Sequence, residues 1–330
     1  MSEARIVELG LSSSAFDEDA LFVRRVVGDE RISRPFSFVV DVVPRDKGGA
    51  GDALVPGLEV TLRFSGAGGE RRVHGLIVEI EDGLETETDA RTHRLRVAPR
   101  IAKLGFVAKQ AIYLDRTVPE IIQQKLEDVG LSIGADAALR LTARYPAREH
   151  VTQFKETDLA FVSRLAEHVG IAYHFEQDGD VDRVCFTDSG AGFADGGEAR
   201  FRGRGERRDV FELRGRRRLV PGVHVAHDYN YRRPDLDVAS VQTLDGAGVG
   251  GAVVEYGVHA QDVAEAQLVA RARADAADGA RQTYEGRSAL PTLAAGARVR
   301  VVGNDVVGDV ELLVVEVHHE VEVSLGGSAE

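Results

Sequence analysis

The sequence predicts a mainly β chain carrying three helices. Three observations support this: apolar and polar residues alternate with period two along several short runs; glycine-rich clusters separate those runs; and the helical period appears in three segments with marked ends. Short strands at this spacing, joined by glycine-rich turns, read as a small antiparallel barrel or sandwich.

In chain order, Phe36, Phe38, Val40 and Val42 alternate with Ser37, Val39, Asp41 and Val43, which predicts a strand over 36–43. A charged, glycine-rich turn at 45–51 follows, then strands at 59–64, 72–80 and 92–97, with Gly66-Ala67-Gly68-Gly69 joining the first two of these. Thr117-Val118-Pro119-Glu120 is a capping box with proline tolerated in the first turn, so a helix starts there, buries Val118, Ile121, Ile122, Leu126 and Val129, and stops at Gly130. A second helix has Thr157 as N-cap, Asp158 in the dipole-favoured first turn, a stripe of Leu159, Val162, Leu165, Ala166 and Val169, and Gly170 as its left-handed stop. From Ile171 the period becomes two, and 172–176 is expected to pair with 183–187 across Asp178-Gly179-Asp180. Residues 190–197 read as a loop, and 246–251 as a glycine linker before an alanine-rich third helix at 262–278. Strands at 298–302 and 310–323 close the chain, the latter with Leu313, Val315, Val317, Val321 and Val323 on one face and Glu316, His318, Glu320 and Glu322 on the other.

Composition sets limits on function. With 330 residues, 43% hydrophobic and 29% charged, the chain has room for two compact domains. No run of about 20 apolar residues offers a membrane-spanning helix, and the first residues carry no apolar signal core, so cytoplasmic synthesis is expected. The single cysteine, Cys185, sits in a strand-like setting and reads as a buried structural thiol. A net charge of −13 argues against nucleic acid as partner. The local exception is 200–218 with nine arginines, which reads as two exposed strands and their turn in preference to a phosphate-binding patch, since no aromatic platform beyond Phe211 interleaves it.

Tyr145-Pro146-x-Arg148-Glu149, Gln153-Phe154-x-Glu156-Thr157-Asp158, Phe161-Val162-Ser163-Arg164-Leu165 and Glu167-x-x-Gly170-Ile171-x-Tyr173-x-Phe175 follow one another without a break in order. Ser33-Arg34-Pro35-Phe36-Ser37-Phe38, Val73-His74-Gly75-Leu76-Ile77, Thr117-Val118-Pro119-Glu120-Ile121-Ile122 and Asp228-Tyr229-Asn230-Tyr231-x-x-Pro234 accompany them. Together they resemble the N-terminal hub region of VgrG proteins, the type VI secretion spike proteins related to the hub and late control D proteins of contractile phage tails. The resemblance runs from about residue 15 to 323; it departs at Pro99-Arg100-Ile101-Ala102-Lys103-Leu104, where the family places tryptophan. It implies two tube-protein-like antiparallel β-barrels, the first from 1–110 with 205–245, the second from 111–204 with 246–330. It also implies a homotrimer that docks on a hexameric tail tube protein (Hcp in type VI systems) and adapts it to a threefold needle. The OB-fold neck and β-helix needle of a full-length VgrG lie outside this sequence, through truncation or because needle and hub are separate polypeptides, as in a phage tail or phage-like particle.

The competing class is a hydrolase or a nucleotide-binding enzyme. Gly246-Ala247-Gly248-Val249-Gly250-Gly251 satisfies GxGxxG, but the fingerprint needs a helix N-terminus directly after it, and 252–256 reads as strand. No Gly-Lys dipeptide supports a P-loop, and 286–290 misses the last glycine of a nucleophile elbow. His319-Glu320 opens like HExxH on an alternating strand, where two ligands one helical turn apart cannot arise. His168, His174, Cys185 and His318 are the histidine and thiol groups weighed as metal ligands, and no metal, cofactor or catalytic role is assigned to them.

Overall fold

The computed structural model of the chain describes residues 8–45, 50–66, 68–85, 90–202, 209–246, 251–303 and 308–323. Its first strands are β1 (Glu8–Ser13), β2 (Leu21–Arg31), β3 (Arg34–Pro44), β4 (Glu59–Gly66), β5 (Gly69–Glu85) and β6 (Ala90–Ala98), with one helical turn, α1 (Ala50–Ala53), between β3 and β4. Alternation does the work expected of it: Phe36, Phe38, Val40 and Val42 of β3 are all buried in one core with Leu62 and Phe64 of β4. The reading of 36–43, 59–64, 72–80 and 92–97 as strands holds, and β1 and β2 join them. In β2 the register shifts between Val23 and Arg25, a bulge that breaks the two-residue period.

The next segment holds β7 (Ala108–Arg116), α2 (Val118–Glu127), β8 (Ala137–Arg140), β9 (Arg148–Thr157), α3 (Asp158–His168), β10 (Ala172–Asp178) and β11 (Val181–Thr187). Both expected caps are made. Thr117 and Glu120 exchange their bonds at 2.8 and 3.2 Å, and Thr157 Oγ1 accepts from the Ala160 backbone at 3.2 Å. Gly170 takes φ +77° at the α3 stop. The α2 and α3 stripes share a core with Tyr113, Val151 and Tyr173. Phe161, outside the expected stripe, is also buried and stacks on Tyr113 at 5.3 Å.

The remainder holds β12 (Ala194–Arg200), β13 (Val210–Arg217), β14 (Val223–Tyr229), β15 (Asp237–Thr243), β16 (Ala252–Tyr256), α4 (Val263–Arg281), β17 (Gln282–Ser288), β18 (Ala297–Val302), β19 (Val310–Leu313) and β20 (Glu316–Glu322). It forms three small sheets, β12-β18-β19, β13-β17 and β15-β14-β16, with α4 packed on the last. Part of the expected loop at 190–197 is therefore strand.

Three expectations are corrected here. The strand that returns to the first barrel is β20, giving the order β1-β4-β5-β6-β3-β2-β20, whereas 223–243 pairs within β15-β14-β16. The cause is side-chain fit. His319 of β20 lies 5.6 Å from the Phe38 ring and 6.1 Å from Phe64, and Val321 packs on the same core, while Ala226 and Val238 are buried against α4. Contact between β20 and β4, far apart in strand order, shows that the sheet curls on itself. Residues 310–323 are consequently two strands in two sheets. The handover falls between Val314, bonded to Gly296 and Ala297, and Val315, which accepts from Ile32 at 3.0 Å. The arginine-rich stretch is not a paired hairpin either, because β12 runs along β18 and β13 along β17. Its turn, with Arg204, Arg207 and Arg208, lies outside the described residues, as do Asp46–Gly49 and Ala247–Gly250 of the GxGxxG match.

Candidate functional site

Asp158 sits where the sequence places it, at the start of α3, but its role is larger than dipole complementarity. It is buried and takes Lys125 Nζ at 2.8 Å, Lys109 Nζ at 2.6 Å and Gln153 Nε2 at 2.9 Å. Burial raises its pKa, and bonds from Lys109, Lys125 and Gln153 outweigh that, leaving the carboxyl below its ordinary value. Lys125 and Gln153 are themselves buried, so the cluster ties α2, β9 and α3 together. Lys125 interrupts an otherwise apolar helix stripe, and that interruption is the signal in the sequence that could have disclosed it.

Several of the residues that carry the resemblance, from 145–149 and 228–232, meet at a second junction, where α4 meets the α3 core. Tyr145 donates to Asp188 Oδ2 at 3.0 Å, and Glu149 pairs with Arg232 from the Asp-Tyr-Asn-Tyr segment. Asp228 Oδ2 accepts the Ala260 backbone N–H at 2.9 Å, and Asn230 Nδ2 donates to the Gln261 carbonyl at 2.8 Å. Asp262 then caps α4, accepting from Glu265 at 3.0 Å. Between these anchors, Arg148, His168, His259 and Glu265 line a small cavity. Burial, with Arg148, Arg273 and His259 nearby, pushes His168 down to about 4, so it is neutral at pH 7.

Of the histidine and thiol candidates, His174 and Cys185 come together and Glu176 joins them, with ligand atoms within 4.8 Å of one another; His168 and His318 lie elsewhere. The cluster is already engaged internally. Arg140 forks onto both oxygens of Glu176 at 2.5 and 2.7 Å, and His174 Nε2 lies 3.3 Å from the same carboxylate. Burial, then the Glu176 charge, pushes the Cys185 thiol up to about 12. A cation here would have to displace a guanidinium and ionise that thiol. Gly296, at φ +88°, runs so close that a Cβ would lie 2.5 Å from the His174 Cβ, so the ring is also sterically locked.

His319, set aside as a zinc-motif fragment, belongs to a third cluster. Its Nε2 lies 2.6 Å from Glu30, whose carboxylate receives both terminal nitrogens of Arg71 at 2.7 and 2.8 Å. Arg71 also donates to the Leu293 carbonyl at 3.0 Å, so the group joins β2, β5 and β20 to the segment before β18. Gly246 and Gly251 both adopt positive φ, and the strand β16 follows them rather than a helix N-terminus. Two hydroxyls stand beside imidazoles, Thr61 Oγ1 at 2.9 Å from His74 Nδ1 and Thr152 Oγ1 at 3.4 Å from His150 Nδ1, and neither pair lines the cavity at His168. The arginine-rich β13 is different in kind: Arg216 and Arg217 are exposed and make no ion pair among the described residues, while Arg214 pairs with Glu212 at 2.8 Å.

A model of the phage tail baseplate hub (GPD) family matches residues 29–325. The type VI secretion system spike protein VgrG5 of Pseudomonas aeruginosa is 38% identical over 168 residues, half of this chain and 20% of that protein. VgrG1a of the same organism is 26% identical over 295 residues, covering 86% of this chain and 45% of that protein. The chain thus spans less than half the length of these relatives. Among solved structures, the Escherichia coli c3393 protein, a type VI secretion component similar to the T4 tail proteins gp27 and gp5, superposes over 96% of this chain and 73% of its own, with TM-score 0.67 and 24% identity. The 43 kDa tail protein of prophage MuSo2 from Shewanella oneidensis does so over 96% and 95%, with TM-score 0.64 and 13% identity. A curled β fold and a family match over nearly the whole length agree: the chain belongs to the phage tail baseplate hub (GPD) family.

Proposed function

We propose that this chain is the structural hub of the spike complex of a contractile injection system, trimerising so that three subunits adapt a hexameric tail tube to a threefold needle. The observation that carries the reading is the placement of large apolar side chains, Ile112, Leu114, Phe154, Val254 and Tyr256 among them, on the exposed surface of regular strands. Clustered there, they favour assembly over catalysis. Subunits assemble in the cytoplasm and leave it when the machine contracts. The arginines of β13 pair locally with an acidic neighbour, either the next subunit or the tube. Three copies of a chain at −13 carry a formal −39, so long-range repulsion opposes the ring and buried apolar contact must overcome it.

Sedimentation of the chain at two salt concentrations, with and without a hexameric tube ring, tests this. A monomer–trimer equilibrium that strengthens in moderate salt is expected, since salt screens the repulsion, and the ring should co-sediment. A monomer at every concentration that also ignores the ring would sink the hub. A trimer that dissociates as salt rises would overturn the electrostatic account alone.

A further inference from the structure

Among the described residues, two uncovered sheet faces carry large apolar side chains, and they differ in chemistry. The β7–β9 ribbon turns Tyr113 and Val151 into the core and leaves a face where Ile112 stands opposite Thr152 and Gln110 opposite Phe154. Ile112 is 64% exposed and Phe154 62%. Lys155 extends over the Phe154 ring at 5.2 Å and has no carboxylate partner among the described residues. The second face belongs to β15-β14-β16. Its inner side is covered by α4, while Val241, Val225 and Val254 form one outer row and Ala239, His227 and Tyr256 the next. Val254 is 62% exposed and Tyr256 66%. Asp237 stands at the rim of this face, 3.6 Å from His227.

We propose that the β7–β9 ribbon of one copy packs on the outer face of the β15-β14-β16 sheet of the next, head to tail. This rests on the hub reading, which sets the ring at three. Scattered exposed apolar residues need no explanation, but rows of them on one sheet face do. The two faces complement each other in charge, since the ribbon brings an unpaired ammonium and the sheet rim an exposed carboxylate. Charge decides against either face pairing with itself, which would bring two Lys155 ammoniums, or two Asp237 carboxylates, to one patch. Three strands about 4.8 Å apart and about five residues long make a patch of roughly 230 Å² in projection, against about 800 Å² per partner in a stable interface. A subunit that uses both faces, one toward each neighbour, gains two such patches. Unlike contacts of this kind form a ring when the rotation between copies closes and a filament when it does not, whereas a self-complementary patch gives a two-fold dimer.

The test is sedimentation of the full chain with exposed positions substituted, each variant first checked for an unchanged melting temperature. Ile112→Lys on the ribbon and Val254→Lys on the sheet should each weaken trimerisation at least about tenfold. Lys155→Glu and Asp237→Lys should each weaken it several-fold, and the double variant should recover the wild-type constant. If the wild-type chain forms trimers and the two lysine variants trimerise as well as it does, this contact is wrong and the hub reading stands. Failure of the double charge reversal to recover association overturns the pairing of these two faces. A wild-type chain that never trimerises overturns this contact, and one that also ignores the tube ring removes the hub reading with it.

Discussion

Replacing Glu30 by glutamine keeps the side chain's shape and removes its charge from the cluster that joins β20 to the first barrel. The carboxylate is buried between Arg71, at 2.7 and 2.8 Å, and His319, at 2.6 Å. Burial pushes its pKa up most strongly; the Arg71 charge and the hydrogen bonds from His319 and Arg71 more than reverse that, holding it at about 2 against an ordinary 4.5. A fall of that size corresponds to roughly 3 kcal/mol of folded-state stabilisation, and stripping the partner from a buried guanidinium costs about 3–5 kcal/mol. Glu30→Gln should therefore lose a few kcal/mol at pH 7 and melt several degrees lower. Because the folded pKa is depressed, wild type holds this stabilisation in full above about pH 4.5 and loses it as the pH falls toward 2. Melting curves of both proteins from pH 7 to pH 3 should converge on the acid side. A gap below about 1 kcal/mol at pH 7, or one that stays constant with pH, would refute the assignment of Glu30 as the charged tie between β2, β5 and β20.

Leu165→Ala, in the buried stripe of α3, should cost about 2–5 kcal/mol through the cavity it leaves, and an unchanged melting temperature would show the stripe to be exposed. Cys185, buried and with its thiol pushed up to about 12, should resist iodoacetamide at pH 7 in the native protein and react stoichiometrically once unfolded; EDTA should leave both results and the melting temperature unaltered, and fast native labelling or a stoichiometric metal in elemental analysis would sink this account.

How far the sequence discloses this fold depends on whether the signal is local. Capped helices and alternating strands are legible because each is written in consecutive residues: Thr117 with Glu120, Thr157 with Gly170, Phe36 through Val42. Sheet membership is not written that way. The alternation of Val317, His319 and Val321 says that one face of β20 is buried, but not which core receives it, and only contact with Phe38, Phe64 and Glu30 decides that. The resemblance implied a return from 205–245, whereas the late strand that pairs with β2 is β20. The polar clusters were hidden for the same reason. Lys109, Lys125 and Asp158 come from three separate elements, as do Glu30, Arg71 and His319, so no spacing rule links them.

Most of the polar residues that make the family recognisable are engaged internally, whereas Phe154, Tyr229 and Tyr231 of the same motifs are exposed. Tyr145 holds Asp188, Glu149 holds Arg232, Asp228 and Asn230 anchor the approach to α4, and Gln153 and Asp158 bind two lysines or each other. The bonds of Gln153, Asp158, Tyr145 and Asp228 lie at least partly out of contact with water, where losing one partner costs more than the bond contributes, whereas the Glu149–Arg232 pair is exposed and contributes little. Exposed positions on the outer sheet faces carry no such internal penalty: Ile112 and Val254 can change with little effect on the fold. Exposed side chains on those faces can therefore change without loss of the fold, and under the proposed hub role the contacts to tube or neighbour are to be sought there and on the exposed arginines of β13, while the buried polar motif residues report on the fold that presents them.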